Sequence, residues 1–407
     1  MKFEESQTGG GGFVMKCGLA LEGGGAKGAY HIGVVKALYE EGYEFDGFVG
    51  TSIGAINSAI LAQGDYNRAL DLWMDISADQ IFKPEDKSLL SLIDLGGLEL
   101  NADFFSNAKG AISKVISGKG VSTEKMLSFL KGHISEEKVR ASGKDFGLVT
   151  ISLSERKPCE LMLEDIPRGK LIDYVMASAS FPGFSSITID DKKYFDGGVY
   201  NNCPVNLLEK RGYDEIIAVR AGAPGMPFQS IDKKEKVKII SPQENTGNMM
   251  VFSPEISSAN IKMGYCDGMR FIKELRGSYF YIKASEIDVF NAKVMSLDEA
   301  IISEVASILG TKGITGKRIL FEKIIPRLGS YLGLEKDFDY TDFTIALLER
   351  RAKQYNIERY DIYDYKQLCA LVEERVSKST EKAKVKTKIF KVSKNERALD
   401  LLTDKLL

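Results

Sequence analysis

Histidine is nearly missing from this sequence: 407 residues hold only His31 and His133. A mechanism resting on a histidine base therefore has two places to go, and neither is well set. His31 falls one turn into a helical pattern, where a packing or surface role is expected, and His133 lies in a polar stretch with no apolar strand leading into it. Cysteine is sparse too. The five, Cys17, Cys159, Cys203, Cys266 and Cys369, are odd in number and scattered without a C-x-x-C pair, which argues against a disulfide scaffold or a zinc site. No apolar run reaches the roughly 18 to 20 residues that cross a bilayer. The 55 basic and 57 acidic residues leave a net charge of -2, so no global field draws in nucleic acid. Residues 1–14 are largely polar with four consecutive glycines and have no signal-peptide core. They are expected to form a flexible leader before Met15-Lys16, and the protein is expected in the cytoplasm.

What is present reads as α/β. The apolar run 17–21 stops at a glycine cluster and is followed by helical spacing over 29–40; a second run, Phe48-Val49, enters another glycine turn and a helix over 53–62. Two successive strand-turn-helix units predict a parallel sheet. Further strands are expected near 146–151, 160–163, 186–189, 193–195, 215–220 and 236–241, making the sheet large and mixed. The stretch 65–144 carries a helical stripe (Leu70, Leu72, Trp73, Ile76) and an apolar, glycine-punctuated segment at 89–100. It is read as a packed helical layer, with a cap over a site as the alternative. Strand signals fade after Ile282, and helices are expected at 297–309, 317–325, 340–355 and 364–376. A boundary is placed near residue 285, giving a domain over 15–285 and a helical region over 286–407. Within the latter, 375–397 is strongly basic; a solvated face is the plain expectation and contact with an anionic membrane the sharper one.

Two glycine turns carry the chemistry. Gly23-Gly24-Gly25-Ala26-Lys27-Gly28 satisfies G-x-G-x-x-G between a strand and a helix. A dinucleotide site would need an acidic residue at the end of the next strand, about 20 residues on. Here that strand runs into Gly50-Thr51-Ser52-Ile53-Gly54. No cofactor is therefore expected, and the first turn suits an oxyanion held by backbone N–H groups at a helix start. The second turn has the form of a nucleophile elbow, in which flanking glycines let a strained strand-to-helix turn hold out a serine. With histidine scarce, the base is sought among carboxylates. Asp196-Gly197-Gly198 stands out because it ends the apolar strand Tyr194-Phe195.

The glycine turn, the elbow with Ala55-Ile56-Asn57, the segment Ala177-Ser178-Ala179-Ser180-Phe181-Pro182-Gly183-Phe184, and Asp196-Gly197-Gly198 with Asn202 and Pro204 follow one another over about half the chain. In this order they resemble the patatin-like phospholipases. The resemblance covers roughly 17–282 and implies a three-layer α/β fold, a mixed, mostly parallel sheet between helices. It also implies a lipid acyl hydrolase working through a Ser52–Asp196 dyad without histidine or metal. The oxyanion hole then falls on Gly23, Gly24, Gly25 and Ala26, with Lys27, Gly28, Gly50, Gly54, Gly197 and Gly198 supporting the motifs. Lys27 stands where the family often has arginine, and an anchoring role is expected for it. The implied partner is a lipid or acyl-ester substrate. Acyl transfer to another acceptor shares every residue named, and a membrane-binding module with a vestigial site is the reading from a different class.

Overall fold

The computed structural model describes residues 15–86, 121–181, 184–223, 236–284, 292–382 and 393–407. The expected leader 1–14, the segment 89–100, the turn at Pro182-Gly183 and residues 383–392 of the basic segment lie outside the described residues. The chain divides into two compact units, Met1–Gly268 and Met269–Leu407. That division falls before residue 285 because the strand Tyr281–Lys283 pairs with Ile362–Asp364, within the second unit.

In the first unit, β1 (Cys17–Leu21), β2 (Gly47–Thr51), β3 (Asp145–Ser152), β4 (Lys157–Met162), β5 (Ile187–Ile189), β6 (Lys192–Asp196), β7 (Glu215–Val219) and β8 (Val237–Ile240) occupy the eight expected strand positions. They form one sheet of order β5-β6-β3-β2-β1-β7-β8, with β4 also paired to β3. Neighbours among β1, β2, β3, β7 and β8 run parallel, while β4 and β6 are antiparallel to β3.

The parallel strands are almost continuously apolar because both faces are covered. Ala20, Val49, Val149, Ile216 and Ala218 pack with Val205, Leu207 and Leu208 of the short helix Val205–Glu209. Their neighbours Leu19, Leu21, Phe48, Phe146, Leu148 and Ile217 alternate to the opposite face and are buried as well. This is the mixed, mostly parallel sheet between helices that the sequence implies.

Helices α1 (Ala29–Glu40) and α2 (Ile53–Ala62) follow β1 and β2 directly. Helix α3 (Tyr66–Asp75) starts at an Asp65 cap, whose carboxylate accepts the Arg68 N–H at 3.2 Å, and buries Ala69, Leu72 and Trp73. A helix that the sequence pattern did not disclose, Pro254–Lys273, is tied to α1 through the Tyr30 hydroxyl, which donates to Asp267 at 2.9 Å.

The second unit is helical apart from β9 (Tyr281–Lys283) and β10 (Ile362–Asp364). Its main helices are Glu299–Leu309, Tyr340–Gln354, Tyr365–Lys382 and Lys394–Leu406, and three of them begin at side-chain caps, Asp298, Asp339 and Ser393. Asp298 accepts the Ala300 N–H at 2.7 Å, and Asp339 and Asp342 cap each other's N–H groups at 2.8 and 3.1 Å. The core gathers Ile302, Leu320, Phe343, Leu347, Leu399 and Leu402. Beside a second cluster that includes Phe280, Ile345 and Leu348, the buried Glu349 carboxylate accepts the N–H groups of Ser278, Tyr279 and Phe280.

Candidate active site

The register of β3 brings the two candidate residues together. β4 takes one edge of β3 over Gly147–Ser152, so the other edge is left to β2 and β6. β2 pairs along it as far as Thr51↔Val149, and β6 takes over at Asp196↔Thr150. Because β2 runs parallel to β3 and β6 antiparallel, their C-terminal ends meet tip to tip. Ser52 is the first residue past one end, and Asp196 is the last residue of the other.

Ser52 has φ 57° and ψ -126°, a conformation rarely taken by residues other than glycine. Its flanking glycines are required by space. A Cβ on Gly54 would sit 2.2 Å from the Leu21 carbonyl oxygen, and one on Gly50 would sit 2.2 Å from the Gly54 backbone. The turn is held by the Thr51 hydroxyl, which donates to the Asn201 carbonyl at 2.8 Å, and by the Ser52 N–H, which donates to Ser178 Oγ at 2.9 Å. Past it, Ala55 donates to the Ser52 carbonyl at 2.9 Å as α2 begins.

The first glycine turn lies beside the elbow: a Cβ on Gly23 would be 3.2 Å from that of Ser52. Its N–H groups are not equivalent. Gly23 donates to the Asn202 carbonyl at 2.9 Å and Ala26 to the Met249 carbonyl at 2.8 Å. For Gly24 and Gly25, no backbone acceptor occurs among the described residues. Lys27 is buried and its Nζ donates to the Gly222 carbonyl at 2.9 Å, an anchoring contact; burial lowers its pKa and Glu22 opposes that shift. Glu22 itself pairs with Arg220 at 2.9 Å and accepts the Ala221 N–H at 2.7 Å, tying the ends of β1 and β7. Where the turn becomes α1, the Gly28 carbonyl accepts from Asn57 Nδ2 at 3.0 Å, and Asn57 Oδ1 accepts from Trp73 Nε1 at 3.0 Å.

Asp196 is buried and accepts the Gly198 N–H at 2.7 Å, and the Ser52 hydroxyl is close enough to its carboxylate to lower its pKa. Burial pushes its carboxyl up to about 6, and the Ser52 hydroxyl and the Gly198 N–H hold the rise in check. Gly197 continues the turn, its carbonyl accepting the Tyr200 and Asn201 N–H groups. A carboxylate near 6 is still ionised at neutral pH and is a stronger base than a solvated one.

A cavity of about 40 Å3 opens at Ser52, walled by Phe82, Met126, Phe181, Phe184, Met249 and Phe252. Phe82 stands edge-on to both Phe184 and Phe252, with ring centroids 5.9 Å apart in each pair. Part of the inserted stretch thus supplies core, through Trp73, and part supplies cavity wall, through Phe82 and Met126.

Neither histidine joins the site. His31 is fully buried, with Nδ1 3.3 Å from Asn57 Nδ2, and burial lowers its pKa to about 3. His133 donates from Nδ1 to the Phe129 carbonyl at 2.8 Å and lines a separate polar groove with Asp71 and Asp75. Among the described residues, no cluster of three or more His, Cys, Asp or Glu is placed to hold a metal ion, and no helix is long and apolar enough to cross a membrane. Sequence reasoning missed the Met249 carbonyl and the Ser178 hydroxyl as site-building groups. Ser178 stood inside a quoted segment, whereas Met249 lies in an irregular stretch with no periodic signal.

A serine on a strained strand-to-helix turn, near a buried aspartate at the C-terminal edge of a mostly parallel sheet, has the form of a nucleophile elbow in an α/β protein. Residues 19–208 match the family model described as patatin-like phospholipase. Lysophospholipase NTE1 of Kluyveromyces lactis is 23% identical over 268 residues, covering 64% of this chain and 16% of that protein. Neuropathy target esterase sws of Drosophila melanogaster is 29% identical over 209 residues, covering 51% of this chain and 13% of that protein. The chain thus spans only a small part of the length of these curated relatives. The crystal structure of VipD from Legionella pneumophila aligns over 96% of this chain and 85% of that one, at 16% identity and a TM-score of 0.37. A likeness at that level carries no argument about fold or function.

Proposed function

We propose that this chain is a lipid acyl hydrolase of the phospholipase A or esterase type that works through Ser52 and Asp196. The observation that carries the proposal is the meeting of the Ser52 elbow and the buried Asp196 carboxylate at the shared edge of β3, beside an apolar cavity. Asp196 takes the hydroxyl proton as Ser52 Oγ bonds to the acyl carbon. The carbonyl oxygen becomes an oxyanion, and collapse of the tetrahedral centre expels the alcohol, which takes the proton back, leaving an acyl-enzyme. Water, deprotonated by Asp196, then releases the acid. Of the four oxyanion-hole candidates, Gly24 and Gly25 are the donors favoured here, since Gly23 and Ala26 already have acceptors. The apolar wall suits an acyl chain, in line with the lipid-hydrolase names of the relatives. The basic segment 375–397 would hold the protein on an anionic lipid surface from the cytoplasmic side.

Ser52→Ala and Asp196→Ala are each expected to lower release of a chromogenic acyl ester by at least about 10³-fold with the far-UV spectrum unchanged. A folded Ser52→Ala protein with undiminished turnover sinks the proposal.

A further inference from the structure

We propose that Ser178, through its hydroxyl, is a positioning residue that sets the aim of Ser52, and that the three residues 178–180 form a bracket holding both members of the reacting pair. The inference rests on the Ser52–Asp196 reading above.

Three observations carry it. Ser52 occupies a backbone region that a serine keeps only when its surroundings over-determine it. Ser178 is fully buried, and its hydroxyl both accepts the Ser52 N–H at 2.9 Å and donates to the Val149 carbonyl at 2.7 Å. Two residues on, the Ser180 carbonyl accepts the Asp196 N–H at 2.9 Å.

The relay therefore leads from the nucleophile's own amide to β3 at Val149, where the edge of β3 passes from β2 to β6. Each reacting residue sits at a strand end, where the ladder that would fix its peptide stops. Residues 178–180 supply the missing bonds on both sides. Ser178 does not reach the reacting atoms; it fixes the peptide plane before Ser52 and with it the direction in which Oγ leaves the backbone. Without the hydroxyl, the Ser52 N–H loses its acceptor in a site where Ser178 admits no water, and the elbow relaxes toward a conformation that turns Oγ off Asp196. A misplacement on the order of 1 Å is enough to cost about 10²-fold in rate.

The test compares Ser178→Ala with the wild type and with Ser152→Ala, which also removes a buried hydroxyl accepting a backbone N–H, that of Glu155 at 3.1 Å. Active sites are counted by labelling Ser52 to completion with a fluorophosphonate, and turnover of a short acyl ester is expressed per labelled site. The expected result for Ser178→Ala is a kcat per labelled site lower by roughly 10- to 100-fold, with KM within about twofold. The acid limb of the pH profile stays in place, and Ser152→Ala turns over like the wild type. A purely structural role would instead lower the melting temperature or the number of labelled sites and leave kcat per site as in the wild type; that outcome overturns the proposal. If Ser178→Ala does not fold, Ser178→Cys keeps the volume with a weaker acceptor, and the same comparison is read on it. A wild type that neither labels nor turns over overturns the Ser52 reading and this inference together. A wild type that does both, beside an unimpaired Ser178→Ala, overturns only the bracket.

Discussion

The two strand-turn-helix units at the centre of the sheet are built alike and used differently. Each turn contains a residue at nearly the same positive φ, Gly25 at 56° and Ser52 at 57°. In the proposed mechanism the working group after β1 is the backbone, so glycine takes the position without strain, and carbonyls of Asn202 and Met249 hold the turn. In the same mechanism the working group after β2 is a side chain, and glycine is moved to the flanks at 50 and 54. The strain of about 1 to 3 kcal/mol is then borne by Ser52 and offset by contacts from elsewhere, through Ser178 and Asn201. A shape that one residue type provides for nothing must be imposed by tertiary structure when chemistry demands another.

The largest test of that contrast is Gly25→Ala. A Cβ there would meet the Met249 carbonyl oxygen at 2.2 Å at an unfavourable φ, so the turn must shift. Ester turnover is expected to fall by about 10²-fold or more while Ser52 still labels with a fluorophosphonate, if at a lower rate; unchanged turnover would remove this turn from the chemistry.

Asp196→Asn probes the base. Burial raises the folded pKa from 3.8 to about 6, so the protonated form is the one that folding favours. Its stability contribution is full below the ordinary carboxyl value and is lost as pH rises through the folded one. Asp196→Asn is therefore expected to be more stable than the wild type at pH 8, by on the order of 3 kcal/mol, with the gain vanishing below about pH 4. Urea melts at the two pH values check it. Wild-type kcat/KM should climb through the same region near 6, and a profile flat from pH 5 to 8 would count against Asp196 as base.

The smallest effect separates strain from chemistry within the elbow. Ser52→Gly and Ser52→Ala should be equally inactive, yet the glycine variant should be the more stable by about 1 kcal/mol. Equal melting temperatures would mean that Ser52 is not strained.

Much of this was legible in the residues themselves. All eight strands of the main sheet stood out as apolar runs, and Phe48-Val49 entering Gly50-Thr51-Ser52-Ile53-Gly54 announced a tight turn to a helix. Helix Pro254–Lys273 did not stand out, since glycine and polar residues interrupt its apolar stripe. Nor did β9 and β10 stand out, since each is three residues long and the two partners lie far apart along the chain.

By itself the sequence determined the local elements and the two glycine turns and singled out Asp196 as the candidate partner of Ser52, because these depend on neighbouring residues and on composition. The tertiary structure decided how that carboxylate comes to Ser52, since only the shared edge of β3 brings the ends of β2 and β6 together. It also decided which turn N–H groups have no backbone acceptor among the described residues, because the acceptors that occupy Gly23 and Ala26 come from Asn202 and Met249, distant in sequence. Strand pairing and hydrogen-bond satisfaction are non-local, and no spacing along the chain encodes them.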